Sequence, residues 1–134
     1  MRHALFAAGL IAGLSLCAAA PPARADDIDP ALRANLWHAV TISGVAAVHT
    51  ETLEFDAHRV AGRAACNRFS AGLTQTGSAL AIGHPVATRM YCQGRMDDEK
   101  AYFDALAAVH GYVLSDGTLA LKASDGRVLI TMKK

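Results

Sequence analysis

Cysteine, clustered histidine and one-sided charge are all scarce in this chain, and each shortage removes a class of function. Three cysteines stand in 134 residues, Cys17, Cys66 and Cys92, with no C-x-x-C pair among them. Zinc sites usually show closer thiol pairs with further ligands nearby, which disfavours chelation without excluding it. His38, His49, His58, His84 and His110 are scattered, with no H-x-H or H-x-x-x-H spacing. No metal site and no cofactor is therefore expected. No G-x-S-x-G elbow is present, so nothing local signals a serine hydrolase. The acidic run Asp97-Asp98-Glu99 lacks the spaced oxygens and turn glycine of a calcium loop. The 13 basic and 12 acidic residues form no basic stripe, so nucleic acid is not an expected partner.

What is there begins with a leader. Met1-Arg2-His3 precede an uncharged run from Ala4 to Ala20, followed by Pro21-Pro22 and Ala23-Arg24-Ala25. A basic start, an apolar stretch and an A-x-A site make a secretory signal peptide, with cleavage expected after Ala25. The apolar run falls short of the ~20 residues that a spanning helix needs, so no membrane span is expected to remain. Leu16 stands where a lipobox wants a small residue before Cys17, which leaves lipid anchoring at Cys17 as the minor alternative. Periplasmic or secreted localisation follows as the expectation. Without residues 1–25 the chain keeps 109 residues, 11 of them basic and 12 acidic. That suffices for one small domain, expected at 36–134 behind a 26–35 linker with a short helical turn.

In an oxidising compartment two remaining cysteines usually bridge. A Cys66–Cys92 disulfide would be worth about 3 kcal/mol in the chain-entropy model. It would also bring Gly62-Arg-Ala-Ala-Cys66-Asn67-Arg68-Phe69-Ser70 beside Ala87-Thr88-Arg89-Met90-Tyr91-Cys92.

Hydropathy patterning supplies the rest. Asp29-Pro30 reads as an N-cap with proline at the first helical position. Period-two alternation marks strands at Trp37–Ser43 and around Leu53 and Phe55, and further short strands are expected at 59–62, from Phe69 to Thr76 and at Leu80–Gly83. Trp37, the only tryptophan, is expected as a core plug. Gly44 to His49 reads as a turn, and Val86 to Cys92 as extended or irregular chain. One helix follows Arg95, opened by three acids at its electropositive end. Its expected apolar stripe is Met96, Phe103, Leu106, Ala107 and His110, and Gly111 is expected as its C-terminal cap. Asp116-Gly117 and Asp125-Gly126 then predict two hairpins with type I′ turns. Strands, one helix and more strands give an α+β, mainly β fold. An antiparallel curled sheet, a partial barrel, packed around one α-helix buries both apolar faces.

These blocks resemble a known family. Leu36-Trp37, Gly62…Cys66-Asn67-Arg68-Phe69-Ser70, Thr88-Arg89-Met90…Cys92, Glu99…Phe103…Leu106 and Leu119…Asp125-Gly126 are similar to the META domain of HslJ-like heat-shock proteins. The likeness spans nearly all of the chain after the leader. Ala65 and Ala71 depart from it, standing where the family usually has glycine. The resemblance implies an exported domain of antiparallel strands on one helix, an association with envelope or heat stress, and no known catalytic activity. Members of that fold resemble a lipid-binding secretion pilotin, which implies a hydrophobic groove by analogy alone.

The candidate rim for a ligand or partner is Asn67, Arg68, Thr88 and Arg89. Two arginines there could hold an anion by forked hydrogen bonds. Alternatively, Asn67 supplies a turn while the arginines satisfy carbonyls or pair with Glu99. The leading function is a monomeric, non-enzymatic binding module for an envelope protein, peptide or lipid. A secreted hydrolase inhibitor acting through the Cys66 loop is the second reading. A small thiol enzyme is the third, and it would need Cys66 or Cys92 unbridged.

Overall fold

The computed structural model describes residues 18–19, 27–48 and 51–134. The expected cleavage position after Ala25, Cys17 and His49 fall outside these residues. The elements, in chain order, are α1 (Pro30–Arg33), β1 (Trp37–Ile42), β2 (Val45–Ala46), β3 (Thr52–Phe55), β4 (Arg59–Ala64), β5 (Asn67–Thr76), β6 (Ala79–Ile82) and β7 (Val86–Ala87). They continue with α2 (Met96–Ala107), β8 (Gly111–Ser115), β9 (Thr118–Lys122) and β10 (Val128–Lys133).

Alternating side chains build the barrel. Along β5, Asn67, Phe69, Ala71, Leu73 and Gln75 point inward, while every second residue faces outward. The neighbouring strands do the same with Leu53 and Phe55, Val60, Leu80, Leu119 and Leu121, and Ile130 and Met132. Each large aliphatic side chain so buried stabilises the fold by about 1.5–3 kcal/mol.

Pairing runs β10-β9-β8-β6-β5-β4-β3-β1 and returns from β1 to β10, all antiparallel. Eight strands therefore close completely, where the sequence predicts a partial barrel. Closure removes the unpaired edges that an open sheet would expose. The narrowest seam joins β6 to β8, where Ala79 opposes Gly111 and Leu80 N–H donates to His110 O at 3.0 Å.

The helices plug opposite ends. Asp29 caps α1, its Oδ1 accepting from Ala31 N–H at 2.8 Å, and Pro30 follows as expected. Its own N–H donates to Oε1 of Gln75, near the C-terminal end of β5. Ile28 and Leu32 are buried and Trp37 Nε1 donates to Leu32 O at 3.0 Å. The segment expected as a linker thus contributes to the core. At the other end, Glu99 of α2 accepts from Asn67, the first residue of β5.

Three local expectations are corrected. The buried stripe of α2 is Tyr102, Ala105 and Leu106, continued by Val109, while Ala107 and His110 are exposed. Alanines on both faces make the hydropathy pattern nearly symmetric, and only the barrel decides which face turns in. Gly111 opens β8 rather than capping α2; Ala108 is the C-cap, in ordinary helical geometry. Asp116 and Gly117 do form a type I′ turn, with φ of 48° and 74°. Around Asp125, however, only Gly126 has positive φ, closing a longer loop in which Gly126 N–H donates to Ala123 O.

Gly62 is required by a close approach. A Cβ there would sit 2.0 Å from Thr52 O, across the β3–β4 ladder. The same carbonyl accepts the Tyr102 hydroxyl at 3.0 Å.

Candidate functional site

The site grows from the start of β5. Asn67 is fully buried, and its carboxamide uses every hydrogen-bonding position it has. Oδ1 accepts from Thr88 Oγ1 and from Met90 N–H, both at 2.8 Å. Nδ2 donates to Met90 O at 3.0 Å and to Glu99 Oε2 at 2.7 Å. One side chain therefore joins β5, the irregular segment after β7 and the first turns of α2. Cys66 and Cys92 lie at disulfide distance beside it, with Cα atoms 6.2 Å apart, inside the range a bridge allows.

These ties hold 85–92 against the barrel with its apolar side chains turned out. Tyr91, Val86 and Met90 are 80%, 77% and 55% exposed. With Pro85, Thr88, Arg89, Met96 and Glu99 they border a cleft of about 590 Å³. β7 pairs on one side only, with β5, so its other edge is without a strand partner among the described residues.

The candidate rim residues divide. Thr88 and Arg89 line this cleft, with Asn67 at its base. Arg68 does not: its side chain borders a separate recess of about 320 Å³ on the outer barrel wall, beside Leu36, Thr52, Glu54 and Arg63. The two arginines thus occupy different recesses and do not form one anion fork. Arg68 is fastened through its backbone, with N–H to Thr88 Oγ1 at 3.1 Å and O from Thr88 N–H at 3.0 Å. Asn67 is a strand residue rather than a turn residue, and it takes the Glu99 contact considered for the arginines. Val86, Met90 and Tyr91 are not legible as site residues, since apolar residues in a stretch without periodicity carry no sign of exposure, and Met96, expected in the buried stripe of α2, lines the cleft instead.

On the inward face of α2, Tyr102 is fully buried, and burial first, then the nearby Glu51 carboxyl, pushes its hydroxyl well above the ordinary tyrosine value. It is a structural donor to Thr52, not an acid–base group. Among the described residues no three His, Cys, Asp or Glu side chains converge as a metal set, and no helix is long and apolar enough to cross a membrane.

A profile of the META domain matches residues 30–134. No curated protein matches the chain. Two solved structures share the fold. One is the NMR structure of a protein from Burkholderia xenovorans, with a TM-score of 0.59 and 21% identity, covering 92% of this chain and 97% of its own. The other, also an NMR structure, has a TM-score of 0.60 and 18% identity, covering 77% and 91%. At these identities the likeness bears on fold alone.

Proposed function

The chain belongs to the META domain family, and from that premise we propose that it is an exported, non-enzymatic binding module. Its contact surface is the cleft beside Cys66 and Cys92, and its partner is an extended apolar segment of an envelope protein. The observation that carries this reading is the outward display of Tyr91, Val86 and Met90 around this cleft. Clustered exposed apolar side chains mark interaction surfaces, whereas scattered ones need no explanation. The vacant edge of β7 favours a peptide over a lipid, because a strand added there gains main-chain hydrogen bonds as well as apolar contact. Arg89 and Thr88 supply the polar rim that fixes an orientation.

The Cys66 turn disfavours the inhibitor reading. Ala64, Ala65 and Asn67 around Cys66 are buried, so this turn offers no protruding loop to a hydrolase. The sulfurs lie at bridging distance, and a bridge between them would leave no thiolate for the thiol-enzyme reading. Export, cleavage after Ala25, the monomeric state and a role under envelope or heat stress belong to the same proposal.

Panning a random peptide library against the purified protein, with Tyr91→Asp for counter-selection, tests the surface. Peptides rich in apolar residues that bind the wild type and lose at least tenfold in affinity for Tyr91→Asp are expected. Co-sedimentation with phosphatidylethanolamine–phosphatidylglycerol vesicles and no peptide enrichment would overturn the peptide reading in favour of a lipid. An intact mass beginning at Asp26 in envelope-fraction protein is the expected sign of export.

A further inference from the structure

The far flank of α2 borders a second cleft, of about 290 Å³, between the helix and the segment leading out of β1. Its walls are aliphatic: Ile42, Val45, Ala46, Ala47, Val48 and Ala101. Glu51 also lines it, only 1% exposed, with a carboxylate oxygen, Oε2, that has no hydrogen-bond partner among the described residues. Asp97 and Asp98 stand along the helix side.

A carboxylate withdrawn from water without a donor costs several kcal/mol, roughly, and a protein retains one where a partner offsets that cost. We infer that this cleft is a binding site for an aliphatic ammonium group, the lysine side chain of a partner protein. A lysine stem covers the aliphatic walls, and its compact ammonium gives a donor to Oε2. A neutral apolar ligand would leave Glu51 as unpaired as before. Asp97, on the helix side of the cleft, adds negative potential that draws a cation toward it. The site is separate from the peptide cleft, and it stands or falls without it.

The test is an amide NMR titration of the purified protein with n-pentylamine, with 1-pentanol as the neutral control and Nα-acetyl-lysine methylamide as the side-chain probe. Saturable shifts confined to 42–48, Glu51 and 97–101 are expected from both amines and not from the alcohol. Glu51→Gln should weaken amine binding at least tenfold. If that variant does not fold, Ala101→Phe, on an exposed helix position, fills the cleft and should abolish the shifts. Equal binding of pentanol, or undiminished binding to Glu51→Gln or Ala101→Phe, overturns the ammonium site. Binding of pentylamine without the lysine derivative overturns the partner-lysine assignment.

Discussion

Strand β5 carries a buried carboxamide at each end, and the two ends of the barrel differ in what surrounds them. Gln75 accepts from Asp29 N–H and donates to Gly77 O and the Tyr112 hydroxyl, while Tyr112 donates to Asp29 Oδ2. That end is sealed by Ile28, Leu32 and Trp37, all buried. Asn67 does the same clasping at the α2 end, yet there the surroundings open outward. Every large hydrophobic residue more than half exposed among the described residues, Val45, Val48, Val86, Met90 and Tyr91, borders one of the two clefts flanking α2. The α1 end is closed by apolar burial, whereas the α2 end spends a polar network on holding apolar side chains in water. Such an arrangement is explained by contact with something else.

The change expected to break the comparison outright is Gly62→Ala. Its added methyl would overlap Thr52 O, and moving that carbonyl also breaks its bond from Tyr102. A loss above about 4 kcal/mol, or failure to fold, is expected, read by urea unfolding. A loss under about 1 kcal/mol would show that β3 and β4 can part freely. Cys66→Ser comes next, at about 3 kcal/mol. Its loss should be accompanied by faster hydrogen exchange in 88–92 and no change around Asp29. Uniformly faster exchange would mean that the bridge serves the whole barrel and not its α2 end.

The carboxamides themselves form the third test. Asn67→Ala strands Met90 N–H and Glu99 together and should cost about 2–3 kcal/mol, against about 1–2 kcal/mol for Gln75→Ala. The combination of Asn67→Ala with Glu99→Gln should be less than additive, since the two residues share a bond. Full additivity would remove Asn67 as the clasp of α2.

How legible these ends are in sequence depends on the range of the interactions. The alternation of β5, the Asp29-Pro30 start and the Asp116-Gly117 turn are local and realised where the pattern places them, whereas β1 breaks its alternation at a bulge between Ala39 and Thr41, so that Trp37 and Ile42 are both buried. The Cys66–Cys92 pair places the Asn67 and Thr88 blocks side by side, and the Thr88 hydroxyl donates to Asn67 Oδ1. Barrel closure between β1 and β10 joins opposite ends of the domain and leaves no local trace. Neither the inward face of α2 nor the burial of Glu51, polar and at the head of a strand, can be read until the barrel surrounds it. Arg68 leaves the cleft because it follows the inward Asn67 on β5 and so points to the opposite face, which disulfide proximity alone does not reveal.

Alkaline pH separates the ends by a smaller effect. Tyr102, at the α2 end, is raised by burial and then by Glu51; Tyr112, at the α1 end, is raised by burial and then by its bond to Asp29. Both are held protonated in the folded state beyond the unfolded value of 10.0. Their stabilisation is therefore complete below pH 10 and declines above it, as the unfolded chain releases protons that the folded chain keeps. Tyr102→Phe should flatten the decline in unfolding midpoint above pH 10 more than Tyr112→Phe, because Tyr102 is fully enclosed. The reverse order would place the tighter burial at the α1 end.

The smallest expected effect sharpens what the α2 end demands of its backbone. Ala65 stands where META-like sequences usually have glycine, and it adopts φ of 51° while buried. Left-handed geometry costs an alanine roughly 1–2 kcal/mol. Ala65→Gly relieves that strain, but it gives up a buried methyl worth about 0.8 kcal/mol and adds about 0.5–1 kcal/mol of unfolded-chain entropy. The terms oppose and nearly cancel, so a stability change within about 1 kcal/mol is expected by thermal unfolding. A gain above about 2 kcal/mol would mean that the turn before Cys66 is strained well beyond its φ. Gly62→Ala and Ala65→Gly move the same methyl three residues apart. The large cost of one and the near neutrality of the other would show that the α2 end is constrained by a backbone approach, not by glycine content.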